Sequence, residues 1–183
     1  MTYPVHTIET APAAARDMLA ESRKAYGFVP NLHAVMAEAP ALLKAYRRVG
    51  EIFDETSFTL AERQIVLLTV SYENDCEYCV AAHSAIAGMQ QVPVDVVQAI
   101  RNGNPIADPK LQALRRFTAA VVASKGRPAD TDTMAFLSAG YSRAQILEVV
   151  LGVGMKTLSN YTNHLADTPL DDAFAKATWS KAR

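Results

Sequence analysis

Only two cysteines occur in the 183 residues, Cys76 and Cys79, too few for a disulfide framework. Charge of neither sign accumulates: the formal net charge is −1, with no basic run and no acidic tail. Nucleic acid and anionic membrane are therefore not expected partners. No apolar stretch approaches the roughly 20 residues that a membrane-spanning helix needs. The opening residues Met1–His6 show no positive region followed by an apolar run, so no signal peptide is expected. The expected compartment is then the cytoplasm, where thiols are mostly reduced. Strand-like alternation is nearly missing too. A cysteine pair in this setting points to catalysis or metal binding rather than to a static staple.

What the chain does have is helix-forming sequence throughout. Half the residues are apolar and a fifth are charged, the balance of a globular protein, and the length suits a single domain spanning 1–183. Helices are predicted over Ala11–Tyr26, from Pro30–Asn31 to about Glu38, and from Pro40 through Phe53. Thr59 and Glu62 form a capping-box pattern ahead of a very apolar helix reaching about Tyr72. Asn74–Asp75 interrupts it, and a new helix starts at Cys76 and runs to about Met89. Further helices are predicted over Pro93–Asn102, Pro109–Ser124 and Thr131–Ala139. Ser142 and Gln145 make a second capping box, opening a helix to about Asn160; Thr168–Asp171 opens a short terminal one. The turn-rich stretch Asn102–Pro105 is the expected boundary between two halves. Thr59–His83 and Ser142–His164 echo each other faintly, which would imply two pseudo-symmetric helical hairpins.

The chemistry concentrates in Glu73–Ala85, which holds both cysteines as C-x-x-C and His83 four residues after Cys79. On a helix these three side chains fall within roughly 60° of one another. Cysteine reacts as thiolate, and two devices would favour that form. Cys76 stands at a helix N-terminus, where free N–H groups stabilise negative charge. Cys79 lies one turn from an imidazole able to take its proton. A thiolate so formed attacks peroxide oxygen to give sulfenic acid, the second thiol condenses with it to a disulfide, and an external dithiol restores the pair.

The stretches Thr59–Gln64 and Ser71–Ser84 resemble the core of the alkylhydroperoxidase D/carboxymuconolactone decarboxylase family, and most closely its peroxidase-related branch. Tyr26–Leu32 and Asn160–Ala166 resemble that branch as well. The resemblance implies an all-α helical bundle, a homo-oligomer, and peroxide reduction through the cysteine pair without cofactor or metal. It makes Cys79 the nucleophile, Cys76 the resolving thiol and His83 the base. One departure stands out. Where the family places a relay glutamate, twelve residues before the first cysteine, this chain has Gln64. Gln64 then orients His83 without carrying a proton, or Glu73 or Glu62 substitutes, or peroxidase activity is weak. Glu62 is expected to be occupied as a cap.

Other readings remain open at this level. The same pair suits a thiol–disulfide oxidoreductase with no peroxide step. Buried as small core residues, the cysteines would belong to a non-catalytic helical oligomer. A metal site would need a further ligand such as His33 or His164; both are more simply structural. Lactone decarboxylation does not require the pair.

Overall fold

The computed structural model describes residues 3–181; Met1 and Thr2, where the leader reading begins, lie outside them. Among the described residues all regular structure is helical. The helices are α1 (Ala13–Tyr26), α2 (Asn31–Met36), α3 (Pro40–Asp54), α4 (Leu60–Glu73), α5 (Glu77–Met89), α6 (Val94–Arg101), α7 (Pro109–Ala123), α8 (Asp130–Ser138) and α9 (Arg143–Ala166). A short 3-10 helix, Asp172–Ala177, follows.

The middle of α4, Ile65–Val70, is apolar at every position but Thr69, so it must be surrounded. It packs against α5, α6, α7 and α9, and every residue from Gln64 to Ser71 is buried. Its start is fixed by the expected capping box: Thr59 accepts from Glu62 N–H while the Glu62 carboxylate accepts from Thr59 N–H. Two core regions flank it. One, built on Phe53, Phe117, Phe136 and Val149, lies toward α6–α9. The other gathers α1–α3, the start of α5 and the C-terminal segment around Leu19, Met36, Leu43, Cys79 and Phe174. Met155 on α9 touches both.

Helix α9 crosses close to α3 and α4 because Gly152 has no side chain. A Cβ there would meet Val66 at 2.7 Å and Phe53 at 2.9 Å. That approach carries the next inward-facing turn of α9, at Lys156, deep into the molecule.

Three expectations shift. First, α9 runs to Ala166 rather than stopping near Asn160. Asn160 is a weak helix former, but its side chain is engaged from α9, where Oδ1 accepts from Asn74 at 2.9 Å. The echo is correspondingly limited. Both capping boxes form, but the second copy is one unbroken helix where the first is split between α4 and α5. Second, the terminal helix begins at Asp172, not at Thr168, and is 3-10 in type. Asp171 spends its carboxylate elsewhere: Oδ1 accepts from Asn31 N–H and Oδ2 from the Tyr78 hydroxyl. Third, α1 starts at Ala13 rather than Ala11, with Pro12 at its N-cap. Gly27 ends α1 with a left-handed φ of 83°.

The break between α4 and α5 is tight. Asp75 takes a positive φ of 54°, its carboxylate pairing with Lys181 at 2.7 Å, and Cys76 N–H returns to Ser71 C=O. Cys76 thereby becomes the N-cap of α5, with Cys79 inside its first turn.

Candidate functional site

Both sulfurs are buried, each residue being 1% exposed, yet Cys79 is not sealed. A cavity of about 450 Å³ reaches Cys79, His83, Gln64 and Lys156 at its inner end. Its walls include Phe53, Leu67, Ala82, Ile86, Met155 and Phe174, and its outer residues Tyr26, Glu51, Asp54 and Met89 are exposed at the surface. Cys76 lies behind Cys79 and does not line the cavity. A small oxidant entering from solvent meets Cys79 first.

Asn163, on the last turns of α9, connects the pair: its Nδ2 donates to Cys79 Sγ at 3.2 Å and to Cys76 Sγ at 3.7 Å. The opposite end of the site is a chain of polar groups. His83 Nδ1 meets Gln64 Oε1 at 3.1 Å, and Gln64 Nε2 donates to Gln90 at 3.0 Å. Lys156 Nζ sits 3.0 Å from His83 Nε2, and its charge favours the Cys79 thiolate. A lysine nitrogen has no lone pair to offer when protonated, so Nε2 accepts and the imidazole carries its hydrogen on Nδ1, directed at Gln64. Lys156 is fully buried.

The electrostatics separate the two thiols. Cys76 is held as a thiol: its hydrogen bond to Cys79 and its burial push its pKa up, the Lys156 charge opposing. Cys79 goes the other way. Burial alone would raise its pKa, but the Cys76 hydrogen bond, the Lys156 charge and bonds from Ser159 and Lys156 bring it well below the ordinary thiol range. Cys76 does stand at the N-terminus of α5, as its N-cap, but the neighbouring thiolate opposes its ionisation because the two negative charges repel. His83 is kept neutral by burial and by the adjacent Lys156 charge.

The four residues read from the sequence, Gln64, Cys76, Cys79 and His83, do come together. No hydrogen bond joins Cys79 to His83 among the described residues; the His83 ring nitrogens meet Gln64 and Lys156. Glu62 is committed to the α4 cap and to the Tyr141 hydroxyl, and Glu73 is absent from the cavity wall. His164 is exposed on α9, whereas His33 lines the cavity with Nδ1 held 2.8 Å from the Ser22 hydroxyl. Burial and the Arg47 charge push the His33 pKa down to about 4. No cluster of three His, Cys, Asp or Glu residues able to hold a metal occurs among the described residues, so the ligand set with His33 or His164 does not assemble.

Lys156 and Asn163 escaped the sequence reading. Asn163 lies within the Asn160–Ala166 stretch that carried part of the resemblance, but nothing local ties it or Lys156 to the cysteines. The available signal was periodic: Lys156, Ser159, Asn160 and Asn163 recur at three- and four-residue spacing, the pattern of one polar stripe facing inward.

The described fold is an all-α helical bundle, and its site brings a C-x-x-C pair together with a buried histidine. The family model described as "Carboxymuconolactone decarboxylase family" matches residues 40–120, the stretch that holds Gln64, Cys76, Cys79 and His83. The resemblance read from the cysteine motif is borne out. Solved structures agree in fold. A protein from Ralstonia eutropha JMP134, described as an alkylhydroperoxidase AhpD core and uncharacterized peroxidase-related protein, superposes with a TM-score of 0.82 at 24% identity, covering 94% of this chain and 93% of its own. An uncharacterized peroxidase-related protein from Silicibacter sp. TM1040 gives 0.80 at 17% identity, covering 95% and 92%. The debrominase Bmp8 in its apo form gives 0.79 at 17% identity, covering 97% and 95%. Among curated proteins none matches.

Proposed function

We propose that this protein is an oxidoreductase that reduces hydrogen peroxide or alkyl hydroperoxides, with Cys79 as nucleophile and Cys76 as resolving thiol. The observation that carries this reading is the unequal pair: one sulfur on the cavity wall and favoured as thiolate, the other behind it and kept protonated, both within reach of one Asn163 amide. Attack by Cys79 on the outer peroxide oxygen leaves Cys79 as sulfenic acid and releases water or an alcohol. Cys76 then displaces the sulfenic hydroxyl as water, giving a Cys76–Cys79 disulfide. An external dithiol enters through the cavity and returns both thiols. His83 acts on Cys79 through Lys156 rather than as a direct base, and Gln64 holds the imidazole in orientation without joining the proton path. The cytoplasm suits this cycle, since its reducing poise regenerates the dithiol form. No helix of the described residues is long and apolar enough to cross a membrane.

Peroxide consumption with a dithiol reductant tests the assignment. Cys79→Ser is expected to abolish turnover. Cys76→Ser is expected to permit one oxidation per chain, leaving a sulfenic acid that dimedone traps at Cys79. Sustained turnover by Cys79→Ser would refute both cysteine roles. A thiol–disulfide relay would instead exchange with small disulfides and show no peroxide-dependent cycle.

The chain is also proposed to form a homo-oligomer through the outer face of α9. Leu147, Val150, Tyr161 and Leu165 are all exposed there and fall within roughly 60° around the helix. Gly154, exposed on the same face, has no atom near its Cβ direction and leaves room for a close second helix.

A further inference from the structure

Lys156 is 0% exposed and makes no ion pair with a carboxylate among the described residues. A buried ammonium without a counter-ion is very costly, so something must balance it. Its Nζ hydrogen-bonds neutral His83, and its charge acts on both Cys79 and Cys76; of these groups only a sulfur can supply the negative charge. Gln64 explains why no carboxylate does. A glutamate there could pair with a protonated His83, whereas the amide fixes the imidazole as a neutral acceptor for Lys156. Nζ therefore holds a proton on the cavity wall, where a substrate oxygen can reach it.

We propose that Lys156 is the general acid of the peroxide step: its ammonium pairs with the Cys79 thiolate in the resting protein and protonates the oxygen that leaves when the O–O bond breaks. This rests on the peroxide-reducing reading above. The balance closes. Thiolate, hydroperoxide and ammonium give sulfenic acid, alcohol and neutral amine. The sulfur–oxygen bond forms as the O–O bond breaks, sulfur is oxidised by two electrons, and the peroxide is reduced by two. The neutral amine next accepts the Cys76 proton, which frees that thiolate to attack Cys79, and gives it to the departing hydroxide as water. When an external dithiol reduces the disulfide, the Cys79 proton returns to Nζ and the ion pair is restored. His83 touches neither substrate nor sulfur; it is a positioning residue that holds Nζ in place.

The test compares oxidants that differ in their need for a proton. tert-Butyl hydroperoxide expels a strongly basic alkoxide; peracetic acid expels acetate, which needs none. Rapid-mixing rate constants for Cys79 oxidation are measured with both. In Lys156→Met the hydroperoxide rate is expected to fall about 100-fold further than the peracid rate, the usual worth of a positioned acid. Loss of the thiolate alone would lower both rates equally and leave their ratio unchanged, which would overturn the proposal. The wild-type protein gives an independent reading should that variant misfold. A larger slowing in D₂O for the hydroperoxide than for the peracid is expected, and equal slowing contradicts the proposal. If wild-type Cys79 reacts with neither oxidant, the peroxide-reducing reading itself is refuted, a result distinct from an unchanged ratio.

Discussion

At the scale of single residues, the proposed cycle depends on giving two chemically identical side chains opposite protonation. Cys76 and Cys79 differ in what surrounds them, not in what they are. Asn163 is the simplest probe. Its amide donates to both sulfurs and gains most from the negative one. Asn163→Ala is expected to raise the Cys79 pKa by about one unit, a loss of about 1.4 kcal/mol of thiolate stabilisation. Ultraviolet thiolate absorbance followed through a pH titration reads that shift, and an unchanged midpoint would remove Asn163 from the account. His33 gives a second prediction. It is buried and neutral in the fold, with its pKa lowered to about 4, whereas the unfolded chain protonates it near 6.5. Below about pH 6.5 the unfolded state binds the extra proton, so stability falls with acidification until about pH 4. The loss from this group is on the order of 3 kcal/mol. Denaturant unfolding across that range should show it, and His33→Phe should flatten the slope.

At the scale of elements, α9 is the part that completes the site. The sequence announced α4 and α5 clearly, through a capping box, an apolar run, an Asn–Asp break and the C-x-x-C spacing. Those signals are local, and the local structure follows them. The contribution of α9 is not local. Lys156 lies 73 positions from His83, and Asn163 lies 84 from Cys79. Nothing in the composition of α9 distinguishes an inward polar stripe from a solvated one until the crossing with α4 is known. The same limit explains the shifted end of α9. Propensity puts a stop near Asn160, but the tertiary partner of that side chain outweighs it. Gly152 sets the crossing distance, so Gly152→Ala is a test at this scale. The added methyl would press on Val66 and Phe53. A destabilisation of about 1–3 kcal/mol is expected, together with slower Cys79 alkylation as Lys156 moves outward. A folded variant of undiminished reactivity would show that the close crossing does not position the lysine.

At the scale of the whole molecule, two core regions meet at Met155, and the cysteine pair sits in one while its support helix spans both. We propose that the chain folds as a single cooperative unit, with one calorimetric transition in which the loss of Cys79 reactivity coincides with the loss of helix. The exposed apolar face of α9 makes a further whole-molecule prediction. Leu165, 73% exposed, contributes nothing to the monomer core. Leu165→Glu is expected to shift the protein toward monomer in sedimentation equilibrium while leaving its helical content intact; an unchanged mass would place the interface elsewhere. The resemblance to the peroxidase-related branch was legible because that branch is marked by residues close in sequence. The place of Lys156 beside His83 was not, since it comes from a helix 73 positions away.

The central claim is that Cys79 alone is the resting thiolate, held by a buried lysine at the end of an open cavity. Alkylation of the native protein by iodoacetamide, followed across pH with each cysteine quantified separately by mass spectrometry, tests this most directly. Cys79 is expected to react well below the ordinary thiol pKa while Cys76 stays unmodified at the same pH. Preferential modification of Cys76, or reaction of neither thiol before the protein unfolds, would contradict the account.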